Sequence, residues 1–159
     1  MNTPTTENKT AALVDRFIDT NTEQTLLCLD DYEDITEAVI ALKHPISGAA
    51  TDMTVIIAGP EHPSRKRLVQ ARQRRMRREL EKSGQIKLND PTEDDQDELE
   101  LLIACTLGWS NLRTRDGVIE FTPANVAALY ADPTKRWVRS QVRAKMDEVE
   151  LFIRRSEIV

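Results

Sequence analysis

The side chains able to do chemistry are scattered in ways that resist assembly into a reactive set. His44 and His62 each stand immediately before a proline, a context that predicts exposed turn residues, not metal ligands. Cys28 and Cys105 lie inside apolar runs, with no CxxC pair and no histidine at ligand spacing, which predicts two buried free thiols. Ser110 follows Trp109 without a base at readable spacing, so its predicted role is within a turn. The carboxylates fall in solvated blocks at helix starts and loops, whereas acid and base catalysis needs them held at a fixed separation in a water-poor cleft. No GxGxxG, GxxxxGK[ST], GxSxG or HExxH pattern occurs, so neither a phosphate cradle nor a zinc site is predicted. The expectation is a protein that is not an enzyme and uses no cofactor or metal.

Charge is the more informative property. The net value of -5 conceals strong segregation. Residues 1–43 carry nine acidic and three basic side chains, residues 64–82 carry nine basic and two acidic ones, and residues 89–100 carry seven acidic and no basic ones. The basic stretch invites three readings: a solvated face compensated by the chain's own acidic blocks, a surface for an acidic partner protein, or a nucleic-acid site with strongly salt-dependent affinity. The last is the weakest, because the stretch has no aromatic residue to stack on a base.

The elements that would carry these groups follow from pattern. At 159 residues the chain fits one domain, and an aromatic share of 4% makes its core mostly aliphatic. No stretch approaches the roughly 18–20 apolar residues of a membrane span, and residues 1–10 lack the apolar run of a signal peptide, so a soluble, cytoplasmic protein is expected. Leu13, Val14, Phe17 and Ile18 share one helical face, predicting an N-terminal arm or short amphipathic helix within residues 1–20. Residues 21–159 are expected to form a single α+β domain, mainly helical, with a small antiparallel hairpin or sheet near the N-terminus. Gln24–Leu29 reads equally as strand or helix. Two strands are predicted over about residues 35–58, around the turn chemistry of Pro45 and Gly48. Helices are predicted over about 64–82, 93–107, 123–131 and 133–155.

In the first of these helices Ser64 is the expected cap, and Leu68, Val69, Met76 and Leu80 form a docking face opposite Lys66, Arg67, Arg74, Arg75, Arg77, Arg78 and Lys82. The second is apolar nearly all round from Leu99 to Leu107, with Gly108 as its left-handed stop. Thr122 with Pro123, and Asp132 with Pro133, are cap and first-turn pairs. Val138, Val142, Met146, Val149 and Ile153 align on the last helix, whose apolar side either closes the core or pairs with another copy. Trp109, Tyr130, Trp137 and Phe152 are the predicted packing anchors.

Taken in order, "LKHPISG", "MTVIIAG", "PSRKRLVQARQRRMRREL", "LLIACTLGWSNL", "RDGVIEFTPANVAALYAD" and "RWVRSQVRAKMDEVELFI" resemble the tail assembly chaperones of long-tailed, siphovirus-type bacteriophages and prophages. The likeness spans about residues 35–155 and is strongest at Gly108, Trp109, Asp116, Gly117, Phe121, Thr122, Pro123, Asn125 and Trp137. It implies no catalytic residue. It implies a protein of the host cytoplasm that binds the tape measure protein, keeps that long helical client soluble, recruits tail tube subunits and is absent from the finished particle. A frameshifted longer form often accompanies such chaperones, and this chain resembles the shorter form. Arg74, Arg75, Arg77 and Arg78 are then the expected partner-facing surface. A virion structural protein of the tail or head-to-tail connector, and a small nucleic-acid-binding regulator using residues 64–82, are the alternatives.

Overall fold

A computed structural model of the chain describes residues 26–157. The N-terminal arm predicted over residues 1–20, with its helix near Asn8–Asp19, lies outside the described residues. The part of the Gln24–Leu29 run that is described forms neither strand nor α-helix. Leu26, Leu27 and Cys28 are exposed, and a single 3-10 turn follows at Leu29–Asp31. Cys28 is therefore not the buried thiol expected, because its apolar neighbours pack against nothing described. Cys105 is fully buried, and burial pushes its thiol pKa up.

The architecture is α+β. Strand β1 (Tyr32–Asp34) precedes β2 (Glu37–Lys43) and β3 (Ala50–Ala58). In β2 the side chains alternate in and out, with Ala38, Ile40 and Leu42 buried, as a strand with one solvated face requires. The turn between β2 and β3 is built by the predicted loop histidine. The His44 Nδ1 accepts the N–H groups of Ile46 and Ser47, and Gly48, at φ 71°, donates its N–H to the His44 carbonyl. The hairpin is thus where the sequence places it, but it is two thirds of a sheet. Helix α1 (Pro63–Ser83) and helix α2 (Pro91–Cys105) come next, and α2 runs directly into a third strand, β4 (Thr106–Ser110), which completes the order β2-β3-β4.

That strand corrects the expected helix over 93–107. A short apolar run has the same composition whether it is a buried helix or a buried strand, so pattern alone misplaces the boundary. The switch occurs at Thr106, whose hydroxyl and N–H both donate to the Leu102 carbonyl and so satisfy one of the helix's last acceptors. Gly108 caps nothing. It lies in β4 opposite Ile56, where an added Cβ would meet Ile56 Cδ1 at 3.3 Å. The turn after β4 is made by Asn111, left-handed at φ 61°, which donates its side-chain N–H to the Asp52 carbonyl.

A minimal ribbon, β5 (Arg113–Thr114) with β6 (Gly117–Val118), leads to helix α3 (Pro123–Ala131), capped as expected by Thr122 through the Asn125 N–H. Asp132 caps only a 3-10 turn at Pro133–Lys135, and helix α4 (Arg136–Met146) starts after it. The helix expected over 133–155 therefore stops short. A second 3-10 segment at Val149–Phe152 leads into β7 (Ile153–Arg155), which pairs antiparallel with β1. Val138, Val142 and Met146 are buried as the wheel predicts, but Val149 and Ile153 are exposed, because the helical period they continue has already ended. The ladder to β1, more than a hundred residues away, overrides local preference.

One face of the sheet receives the helices. Lys43 at the end of β2 is tied to α4 by a reciprocal pair: its N–H donates to Gln141 Oε1 at 2.8 Å and its carbonyl accepts from Gln141 Nε2 at 2.9 Å. The core joins Ile40, Leu42, Val55 and Ile57 of the sheet to Leu102, Val126, Tyr130, Val142 and Phe152. Among the four expected anchors, Trp109, Tyr130 and Phe152 are buried in this cluster while Trp137 packs at its margin, only partly buried. Trp109 donates its indole N–H to the Ile119 carbonyl and meets Phe121 edge to face at 5.0 Å. None of the described helices is long and apolar enough to cross a membrane.

Candidate functional site

Helix α1 stands apart from the rest of the fold. It is 21 residues long and contains no buried residue. His62, not Ser64, is its cap: the imidazole Nδ1 accepts the Ser64 N–H at 3.2 Å, with Pro63 in the first turn. At the other end Gly84, at φ 66°, closes the helix by donating its N–H to the Leu80 carbonyl. Well-made ends matter here, since burial supplies little of the helix's stability.

The expected docking face is only partly used. Leu68 and Arg72 are half-buried, but Val69 is 41%, Met76 56% and Leu80 42% exposed. On the helical wheel Val69, Met76 and Leu80 fall within about 40° of one another, and Arg67, Arg74 and Arg78 form a second row on nearly the opposite flank. Contact with the fold is made along the line between them: Arg72 donates to the Asp97 carbonyl and faces Glu100 at 3.9 Å, Arg75 pairs with Asp97 at 3.3 Å, and Arg65 donates to the Met146 carbonyl at 3.2 Å.

Helix α2 presents the acidic side of this contact. A capping box fixes its start: Asp90 Oδ1 accepts the N–H groups of Thr92 and Glu93 at 2.9 Å each, and Glu93 Oε2 accepts from Asp90 N–H at 3.3 Å. From the opposite side α4 takes the same acidic block. Arg139, itself buried, bonds Asp95 at 2.7 Å and also pairs with Glu98, and Arg143 lies 3.8 Å from Glu98. Burial works against the Arg139 charge, but the bonds to Asp95 and Glu98 outweigh it and raise the guanidinium pKa. The acidic run is thus shared between two cationic helices, and compensation within the chain accounts for Arg72 and Arg75.

It does not account for the remainder. Among the described residues, Arg67, Arg74, Arg77, Arg78 and Lys82 have no ion-pair partner. Of the four arginines expected to face a partner, Arg74, Arg77 and Arg78 are exposed and unpaired, and Arg75 is engaged with Asp97. Between the C-terminal half of α1 and α2 runs an open groove of about 780 Å³, walled by Arg75, Glu79 and Lys82 on one side and by Asp97, Leu99 and Ile103 on the other. Leu88, 94% exposed, hangs over it from the linker. No known protein family, curated protein or solved structure matches this chain.

What the site can do follows from these groups alone. An apolar row, an arginine row and a charge-walled groove on one helix offer contact area and orientation to another macromolecule, with the charges setting encounter rate and register more than affinity. Among the described residues no group of histidine, cysteine and carboxylate side chains is placed to hold a metal ion. Sequence pattern identified the amphipathic helix and expected its whole apolar face to dock, whereas Val69, Met76 and Leu80 stay exposed. The missed signal is proportion: two half-buried contacts suffice to hold a helix whose remaining apolar positions stay in water.

Proposed function

We propose that the protein is a non-catalytic tail assembly chaperone of a long-tailed bacteriophage or prophage, acting in the host cytoplasm to hold the tape measure protein soluble and to help recruit tail tube subunits. The observation that carries the reading is α1: a long helix with no buried side chain, exposing Val69, Met76 and Leu80 on one flank and arginines on the other. A long amphipathic helical client needs an apolar strip to cover its seam and a charged border to fix its direction. Several copies along one client multiply modest affinities. The resemblance of residues 35–155 to such chaperones supports the same reading.

The test is co-expression with the tape measure gene of the same phage. Reversing Arg74, Arg77 and Arg78 to Glu, with Arg75 kept for its pair with Asp97, is expected to leave the thermal unfolding midpoint nearly unchanged, since the three are exposed. Soluble client is expected to fall about tenfold, the effect of losing on the order of 1.4 kcal/mol of association free energy. Client solubility equal to that with the unaltered protein would end the proposal.

The five unpaired cations favour one second reading, a nucleic-acid-binding regulator using residues 64–82. It predicts DNA or RNA affinity that falls steeply with added salt, measurable by fluorescence anisotropy at two salt concentrations.

A further inference from the structure

Strand β2 lies at an edge of the three-stranded sheet. Thr36 accepts the Gly59 N–H at 2.7 Å and His44 donates its N–H to the Ala49 carbonyl at 2.8 Å, so the even-numbered residues of this stretch direct their backbone groups to β3. The odd-numbered ones face the opposite way. At both ends these outward groups are taken: Ile35 donates to the Phe152 carbonyl, and Lys43 is held by Gln141. Between the two ends the N–H and carbonyl groups of Glu37, Val39 and Ala41 meet no partner among the described residues. All three residues are exposed, Val39 by 66%. Such an edge is a template for a further strand. We infer that this strand is β2 of a second copy, laid antiparallel about a two-fold axis at Ile40, so that the two sheets continue as one.

Three features favour that occupant. The first is charge. The strand reads Glu37, Ala38, Val39, Ile40, Ala41, Leu42, Lys43, and reversing it about Ile40 sets an acid against a base at each end of the seam. Lys43 has no ion-pair partner among the described residues, and Glu37 has only His62, at 3.6 Å. Opposite charges directly across a pair of strands attract. The second is bonding parity. Val39 falls opposite Ala41 of the other copy, and both turn N–H and carbonyl into the seam, as a bonded antiparallel pair requires. A slip of one residue would set them against groups already bonded to β3. A slip of two keeps the parity but leaves Glu37 and Lys43 unmatched.

The third is shape. On the inner face the buried Ala38 meets Leu42 and Ile40 meets its own copy, so the apolar layer of one sheet continues into the next. A helical client cannot take this edge, because the N–H and carbonyl groups of a helix already bond each other. Pairing to the ends of β2 releases Gln141, whose bonds to Lys43 are replaced by bonds from Glu37 of the second copy. That exchange gains no bond, so the seam is held by Val39 and Ala41 and by the charges at its ends. The pairing does not depend on what α1 binds.

The experiment is sedimentation velocity of the full-length chain over a series of concentrations, where a reversible monomer–dimer equilibrium is expected. Glu37→Lys and Lys43→Glu each set like charges opposite one another at both ends of the seam, and each is expected to weaken dimerisation about tenfold. The chain carrying both changes restores the match with the signs exchanged, and its dimer is expected within about twofold of the unaltered one. A double variant that dimerises no better than either single one, or single variants that dimerise as well as the unaltered chain, would overturn the inference. So would a monomer at every concentration, which would leave the edge to an extended segment of another protein. Val39→Pro removes one N–H from the seam without touching the ladder to β3. It is expected to abolish the dimer, and a dimer that survives it, with circular dichroism showing the variant folded, also overturns the pairing.

Discussion

Phe152→Ala is expected to lower folding stability by about 3–5 kcal/mol, the usual cost of emptying an aromatic site in a core. Phe152 is 3% exposed and its position is fixed from two sides. Its carbonyl accepts the Ile35 N–H at 2.8 Å, and its ring rests on Gly59, where an added Cβ would lie 2.6 Å from Cδ1 and 3.1 Å from the Thr36 carbonyl oxygen. Glycine at 59 is what lets an aromatic ring approach the backbone between β3 and α1. Phe152 also leads directly into β7, and its backbone bond to Ile35 survives the substitution, so the loss measures the ring alone. Urea unfolding followed by circular dichroism measures the change. A loss below about 1 kcal/mol would mean that the site collapses around alanine and that the ring is not the anchor described.

Alkaline pH is expected to destabilise the protein through Tyr130. Its phenol is buried and donates a 2.7 Å bond to the Thr106 hydroxyl, whose own proton goes to the Leu102 carbonyl, and its pKa is pushed up to about 12, chiefly by burial. An unfolded tyrosine titrates near 10. Below pH 10 both states keep the proton and Tyr130 adds no pH dependence. Between pH 10 and 12 the unfolded chain gives up the proton while the folded one holds it, so stability falls as pH rises, by at most about 2–3 kcal/mol. Comparing urea midpoints at pH 9 and pH 11.5 in the parent and in Tyr130→Phe isolates the effect. The variant starts about 1 kcal/mol less stable through the lost hydrogen bond and should then lose less on going alkaline. Equal losses in both proteins would contradict the assignment.

Legibility of the fold in the sequence followed the range of the interactions. Caps and turns are local, and Thr122 with Pro123 and the Gly48 turn lie where residue chemistry puts them, although the cap of α1 is His62 and not the expected Ser64. The misread strands are those decided at a distance. Thr106–Ser110 becomes a strand because β3 offers it an edge, and Ile153–Arg155 leaves the helical pattern because Tyr32–Asp34 is there to pair with it. Neither partner is visible to a window of a dozen residues. At the candidate site, the amphipathic pattern of residues 64–82 was plain, as was the acidic run that answers it. The sequence could not show that the acidic run is divided between α1 and α4, so that Arg75 is occupied while Arg74, Arg77 and Arg78 are not.

The ribbon of β1 and β7 has a mechanical meaning. Its register sets Tyr32, the first residue of one strand, opposite Arg155, the last of the other, and Glu33 bonds Arg154 across 121 positions of chain. Tension applied at the two ends of the polypeptide therefore arrives at the same end of the ribbon and peels it rung by rung, so the load falls on a single pair of bonds at a time. Optical-trap traces should show this opening first, at low force and before the core lets go, and a single high-force rupture would show that the ribbon shears as a block.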